Sequence, residues 1–88
     1  MAKKIRLKTH DGSKNYLQEI EGRPNQYELV SCSDFIRSGS LPNGNEFIDP
    51  SGGPMIIIGE PLVCYGSTSY TVKGISREKE IGTIITLE

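Results

Sequence analysis

The chain has few of the residues on which metal sites and nucleophilic enzymes depend: one histidine, two cysteines and no tryptophan among 88 residues. Cys32 and Cys64 stand 32 positions apart, and neither forms with His10 the closely spaced ligand pairs that are typical of zinc sites. The acidic residues are dispersed and form no calcium-binding loop. We therefore expect no bound metal and no other cofactor.

The sequence also lacks long apolar runs and an export signal. No stretch approaches the roughly 18 consecutive apolar residues of a membrane-spanning helix, and the charged N-terminus already alternates like a strand, unlike a signal peptide. These features predict a cytoplasmic protein that binds no membrane. In that reducing compartment we expect Cys32 and Cys64 to be buried thiols, with a single bridge between them as the alternative.

Positive charge is concentrated at the N-terminus. The net charge is −1, but Lys3, Lys4, Arg6 and Lys8 give the first eight residues +4, which leaves −5 on the remainder. The protein as a whole therefore has no field that attracts nucleic acid. We interpret the basic run as the solvated outer face of a strand, and a basic edge on an acidic body is the alternative.

The length and the hydrophobic pattern predict one domain made of strands. Because 88 residues suffice for only one hydrophobic core, a single all-β domain is expected over residues 1–88. Nearly every segment has period-two or β-branched character, and none has a helical stripe. Ile5 and Leu7, for example, alternate with charged side chains, as in a half-buried strand.

Turn signals separate the strand-like segments at regular intervals. Asp11-Gly12 and Asn43-Gly44 are typical of hairpins, and the stretch 22–25 is typical of a turn. Such spacing predicts a small barrel or a two-sheet sandwich of six to eight short strands. One short helical turn is expected near residues 33–38, capped by Ser33 and ended by Gly39.

Two further features concern the strands themselves. The unbroken apolar run Met55–Ile58 has the pattern of a strand covered on both faces, so we predict that it forms the centre of the core. Gly74 interrupts a strand-like segment and predicts a β-bulge.

The stretch Ser51-Gly52-Gly53-Pro54 resembles the nucleophile loop of trypsin-like serine proteases, which implies a nucleophilic role for Ser51. The resemblance covers these four residues and the aliphatic residues after them. That family has Gly-Asp before its serine, whereas this chain has Asp49-Pro50. No pattern brings His10, the one histidine, within reach of Ser51, and the chain is too short for the two barrels that flank that family's active site. We therefore predict a turn that leads into a strand, and no catalytic residue.

The same loop supports one alternative function. Pro50 and Pro54 fix the backbone, and glycines permit the positive φ angles of a sharp turn. Consecutive backbone N–H groups in such a turn can bind an anion, so Ser51, Gly52 and Gly53 are candidate ligands of a nucleotide or phosphate. Loop 50–54 lacks the Gly-Lys-Ser/Thr end of a phosphate-binding P-loop.

Single-stranded nucleic acid is the second alternative partner. Small β-barrels bind single strands through aromatic side chains beside basic residues. The chain has four tyrosines, and Tyr16 is expected to lie across the first hairpin from the basic strand. The negative net charge disfavours this function.

Protein–protein binding is the function that the sequence favours. Tyrosine offers a large contact area at low entropic cost, and a small core gains stability from association. The candidate interaction surface consists of Lys4, Arg6, Tyr16, Tyr65 and Tyr70. We expect a non-enzymatic protein that binds a protein partner or forms a homo-oligomer, in the manner of a small accessory protein or inhibitor of a phage or other mobile element.

Overall fold

A computed structural model of the chain describes residues 3–8, 15–30, 36–50, 55–66 and 69–88. These residues form eight strands and no helix, which confirms the all-β prediction. The strands are β1 (Lys4–Arg6), β2 (Tyr16–Glu19), β3 (Gln26–Val30), β4 (Ile36–Ser40), β5 (Glu46–Pro50), β6 (Ile56–Ile57), β7 (Val72–Glu78) and β8 (Gly82–Leu87). With no helix in the described part of the chain, none there is long and apolar enough to cross a membrane.

The strands form two antiparallel sheets. The larger sheet has five strands in the order β1-β2-β3-β8-β7, and the smaller has three in the order β4-β5-β6. The segment between β6 and β7 bonds to both edges of the larger sheet: Gly59 N donates to Val72 O of β7 (2.8 Å), and Tyr65 N donates to Arg6 O of β1 (2.9 Å). β1 and β7 do not pair with each other, so the described strands form a sandwich and no closed barrel.

The core lies between the two sheets. Ile5, Leu17 and Leu29 lie side by side across β1, β2 and β3, because the antiparallel register pairs them directly. All three are buried and belong to one hydrophobic cluster with Ile48 and Ile56 of the smaller sheet. Each such aliphatic side chain contributes about 1.5–3 kcal/mol when fully buried, so the two-sheet packing is the main source of stability.

Several predicted turns are confirmed. Residues 22–25 form the β2–β3 turn, in which Gly22 and Asn25 take positive φ angles of 78° and 67°. Gly44 has a φ of 91°, and its N–H donates to Leu41 O (2.8 Å) in the β4–β5 hairpin. The predicted bulge is present, since the β7–β8 register shifts between Val72 and Gly74. Asp11-Gly12 lies outside the described residues.

The predicted helical turn near residues 33–38 is wrong where the structure describes it. Residues 36–38 belong to strand β4, and 33–35 lie outside the described residues. Gly39 is not a left-handed helix end; it lies in β4 opposite Phe47 of β5. A Cβ at Gly39 would stand 3.3 Å from Phe47 Cε1, so the ring covers the glycine. Cross-strand packing decides the conformation here against the local capping signal.

The predicted central role of Met55–Ile58 is also wrong. Only Ile56–Ile57 form a strand, at the edge of the smaller sheet, and Met55 is 43 % exposed. Gly59, with a φ of 91°, lies in the turn that follows. The strand covered on both faces is β8, where the neighbouring residues Ile84 and Ile85 are each 0 % exposed.

Candidate interaction surface

The basic N-terminal strand presents its charges to solvent because its apolar residues face the core. Ile5 and Leu7 are buried, and Lys4, Arg6 and Lys8 between and beyond them are exposed. Three tyrosines lie against these cations. We name the whole set the basic–tyrosine surface; it consists of Lys3, Lys4, Arg6, Lys8, Tyr16, Tyr65 and Tyr70.

Tyr16 is placed by the β1–β2 register. It lies directly opposite Arg6, and the Nζ of Lys4 lies 5.1 Å from the centroid of the Tyr16 ring. A cation this close to a ring face is attracted by the ring quadrupole, at roughly 0.5–1 kcal/mol for an exposed pair. The tyrosine thus holds an orientation on the outer face of β2.

Tyr65 is placed by main-chain pairing on the other edge of β1. Leu7 and Cys64 form an antiparallel bridge, and Tyr65 N donates to Arg6 O. The centroid of the Tyr65 ring lies 5.4 Å from Arg6 Cζ and 5.7 Å from Lys8 Nζ. Tyr65 is 55 % exposed, so a ring flanked by two cations is accessible to a partner.

Tyr70 completes the surface near the start of β1. The Nζ of Lys3 lies 4.9 Å from the centroid of its ring. A hydrogen bond to Tyr70, with favourable charge interactions from Tyr70, Tyr27 and Glu19, raises the pKa of Lys3. The ammonium group is therefore held in its charged form beside the half-buried ring.

A groove of about 400 Å³ lies between β1 and the residues Tyr65, Gly66 and Tyr70. Its walls are formed by Lys3, Lys4, Ile5, Arg6, Tyr65, Gly66 and Tyr70. Five of the seven residues of the surface line it; the other two are Lys8 and Tyr16, and Tyr16 lies on the β2 side of the strand. The cations in its walls can attract a group that carries negative charge.

Tyr27 lies beneath this end of the surface, in the core, and its titration provides a test of the packing. Burial raises the pKa of the Tyr27 phenol, and the nearby Lys3 opposes part of that rise. The folded state thus keeps the proton to a higher pH than the unfolded chain. The stabilisation is complete below the ordinary tyrosine pKa and is lost as the pH rises through the folded pKa.

We expect Tyr27→Phe to flatten the alkaline loss of stability. The free energy of unfolding, measured by denaturant titration between about pH 8 and about pH 12, should fall less steeply in the variant than in the wild type. Leu29→Ala, which removes packing from the same cluster but no titrating group, is the control and should keep the wild-type slope. Equal slopes for Tyr27→Phe and the wild type would contradict the buried placement of the phenol.

The structure places all five residues of the sequence-predicted surface on or beside β1: Lys4 and Arg6 on the strand, Tyr16 on β2, and Tyr65 and Tyr70 in the segment that precedes β7. Lys3, Lys8 and Gly66 join them, and the basic run from residue 3 to residue 8 was the signal for the two lysines. The candidate ligands Ser51, Gly52 and Gly53 lie outside the described residues, as does His10. The nucleotide-binding and turn predictions for that loop therefore stay predictions.

Metal binding and thiol chemistry have little support in the described ranges. No group of three or more His, Cys, Asp or Glu side chains within them could hold a metal ion. Cys64 is half-buried beside β1, and Cys32 lies outside the described residues, so the thiol prediction stays a prediction. No protein-family model matches the chain, and no curated protein and no solved structure matches it either.

Proposed function

We propose that the protein acts by binding and not by catalysis, and that its basic–tyrosine surface holds an acidic, extended segment of another protein. The observation that carries this proposal is the grouping of four cations and three tyrosines around one strand. The rest of the chain has a net charge of −5, so this surface differs in sign from the remainder of the chain. An acidic partner is attracted to the surface and repelled by the remainder.

The tyrosines favour a specific contact over a diffuse electrostatic one. A tyrosine side chain contributes a large contact area and loses few rotatable bonds on binding. Here the cations already orient the tyrosine rings in the free protein. Binding therefore loses less side-chain conformational entropy than it would for freely rotating rings. Tyr65 is the most exposed of the large hydrophobic side chains in the described chain and is the expected centre of the contact.

Single-stranded nucleic acid is a second candidate, favoured by one observation. The exposed Tyr65 ring stands between Arg6 and Lys8, an arrangement in which a base could stack on the ring while its phosphates contact the cations. The overall negative charge weakens such binding at a distance. An acidic peptide carries fewer negative charges along its length than a nucleic-acid strand does. The negative charge of the protein therefore repels the peptide less, and we rank the peptide first.

The test compares two probes on matched charge variants. A fluorescent peptide of alternating Glu and Val residues and an oligo(dT) of similar charge are titrated by fluorescence anisotropy. Lys4→Glu is expected to weaken binding of the peptide by about tenfold or more, and Tyr65→Ala by a similar factor. Added salt should weaken binding to the wild type and should matter less for Lys4→Glu.

Lys79→Glu is the matched control, because it makes the same charge change at an exposed position in the β7–β8 turn. It should bind the peptide almost as the wild type does. Equal losses for Lys4→Glu and Lys79→Glu would show a net-charge effect and contradict the proposed surface. Tighter binding of oligo(dT) than of the peptide, lost in Tyr65→Ala, would replace the acidic protein by nucleic acid as the partner.

A further inference from the structure

Strand β4 is an edge strand, and its outer side pairs with no other strand in the described part of the chain. Leu41 N donates to Asn45 O (2.8 Å) in the β4–β5 hairpin, which makes that pair a hydrogen-bonded one. Because such pairs alternate in an antiparallel ladder, the main-chain groups of residues 37 and 39 point toward β5. Those of residues 36, 38 and 40 therefore point away from the sheet. No hydrogen bond joins these outward groups to any other described residue.

The other sheet edges in the described chain carry protection that β4 lacks. β1 is lined with lysines and paired with residues 63–65, β7 contains a bulge, and β6 is only two residues long. These are the usual devices against edge-to-edge pairing. β4 spans five residues with no lysine, no proline and no register shift. Its one charge, Arg37, is paired with Asp49 on β5.

We propose that two copies of the chain pair through β4, antiparallel and with the two-fold axis at Ser38. In this register Ser38 lies opposite Ser38 of the partner subunit, and residue 36 lies opposite the partner's Ser40. All three outward-facing residues then form hydrogen-bonded pairs, which gives about six main-chain hydrogen bonds, since each such pair exchanges two. The two three-stranded sheets become one six-stranded sheet, and the closed two-fold contact stops further growth.

The side chains of the exposed face suit the same register. Arg37 comes to lie opposite Gly39 of the partner subunit and never opposite the partner's Arg37, so like charges do not meet. Gly39 has no side chain, and the Phe47 ring covers it, with Cε1 3.3 Å from where a Cβ would stand. On pairing, the Arg37 side chain, 69 % exposed, can exchange its surface ion pair with Asp49 for a cation–π contact, extending across the partner's Gly39 onto the partner's Phe47 ring.

The central test is Ser38→Pro. Proline removes an N–H that points away from β5, so the β4–β5 ladder is kept, and edge positions of this kind tolerate proline. Sedimentation equilibrium should give the wild type twice the monomer mass at high concentration, with a Tm that rises with concentration. Ser38→Pro should give the monomer mass throughout and a Tm independent of concentration. Ser38→Ala keeps the N–H and should behave as the wild type.

Two results would overturn the proposal: a wild type that is monomeric at every concentration, or a Ser38→Pro variant that dimerises as strongly as the wild type. If Ser38→Pro does not fold, Ser38→Lys takes its place, because it sets two like charges across the axis and should also abolish the dimer. The proposal does not rest on the proposed function, since β4 and the basic–tyrosine surface belong to different sheets. Loss of the dimer should leave peptide binding unchanged.

Discussion

Replacing Ile85 by alanine is expected to lower the free energy of unfolding by about 2–5 kcal/mol, and replacing Ile84 by alanine is expected to cost as much. Both side chains are 0 % exposed although they are neighbours on β8 and point to opposite faces of the sheet. Ile85 contacts the core cluster between the sheets. Ile84 lies in the row of Glu28 and Ser76, on the other face.

Met55→Ala is the control for these two variants. Met55 belongs to an unbroken apolar run, but it is 43 % exposed, so its truncation should change the free energy of unfolding by no more than about 0.5 kcal/mol. The measurement is urea unfolding of the three variants at one low protein concentration. If Met55→Ala lowered the free energy of unfolding as much as Ile84→Ala, residues 55–58 would have to lie at the centre of the core.

The size of this loss matters because the domain is small. Proteins of this length have a free energy of unfolding of roughly 5–15 kcal/mol, so the loss of one β8 isoleucine removes a large part of it. β8 is sensitive because it lies between β3 and β7 in the five-stranded sheet. A side chain on either of its faces is therefore surrounded by two neighbouring strands.

The half-buried strands are the part of the fold that the sequence predicts well. Ile5 in β1 and Leu7 just after it alternate with charged residues and are buried as expected, and Tyr27 and Leu29 in β3 show the same alternation and burial. Period-two alternation identifies the buried face because one side of such a strand meets the core and the other meets water. The turn at 22–25 and the bulge at Gly74 were equally readable, because glycine marks backbone conformations that other residues avoid.

Doubly covered strands were harder to assign, because periodicity does not distinguish them from other apolar runs. Met55–Ile58 and Ile84–Ile85 are both uninterrupted aliphatic segments in the sequence. Only the sheet order decides that the second lies in the interior and the first at an edge. The same limit applies to Gly39, whose strand conformation depends on Phe47 of the neighbouring strand rather than on its own sequence neighbours.

The candidate surface was predictable in composition but not in arrangement. The basic run and the tyrosines can be counted from the sequence, and Tyr16 follows from the first hairpin. The position of Tyr65 beside Arg6 depends on a main-chain contact between segments 59 residues apart in the chain. Contacts at such separations are set by the closure of the whole fold, and no local pattern encodes them.

Replacing Gly39 by valine is expected to lower the free energy of unfolding by about 1–3 kcal/mol, because new atoms must enter space that the Phe47 ring occupies. The added Cβ alone would stand 3.3 Å from Phe47 Cε1 and 3.4 Å from Cζ, closer than a relaxed contact. The φ angle at Gly39 is not in the positive range, so the cost comes from packing and not from the backbone. Denaturant unfolding of the variant measures it.

A double-mutant cycle with Phe47→Ala separates this clash from other effects of valine in a strand. If the ring is the obstacle, Gly39→Val should cost less in the Phe47→Ala background than in the wild type, with a coupling of about 0.5–3 kcal/mol. The cycle is best measured in the Ser38→Pro background, so that no change in β4 pairing between copies contributes. Additive costs would contradict a direct contact between ring and glycine. Coupling would show that the Phe47 ring packs directly on Gly39, the contact across which the proposed strand pairing places the partner's Arg37.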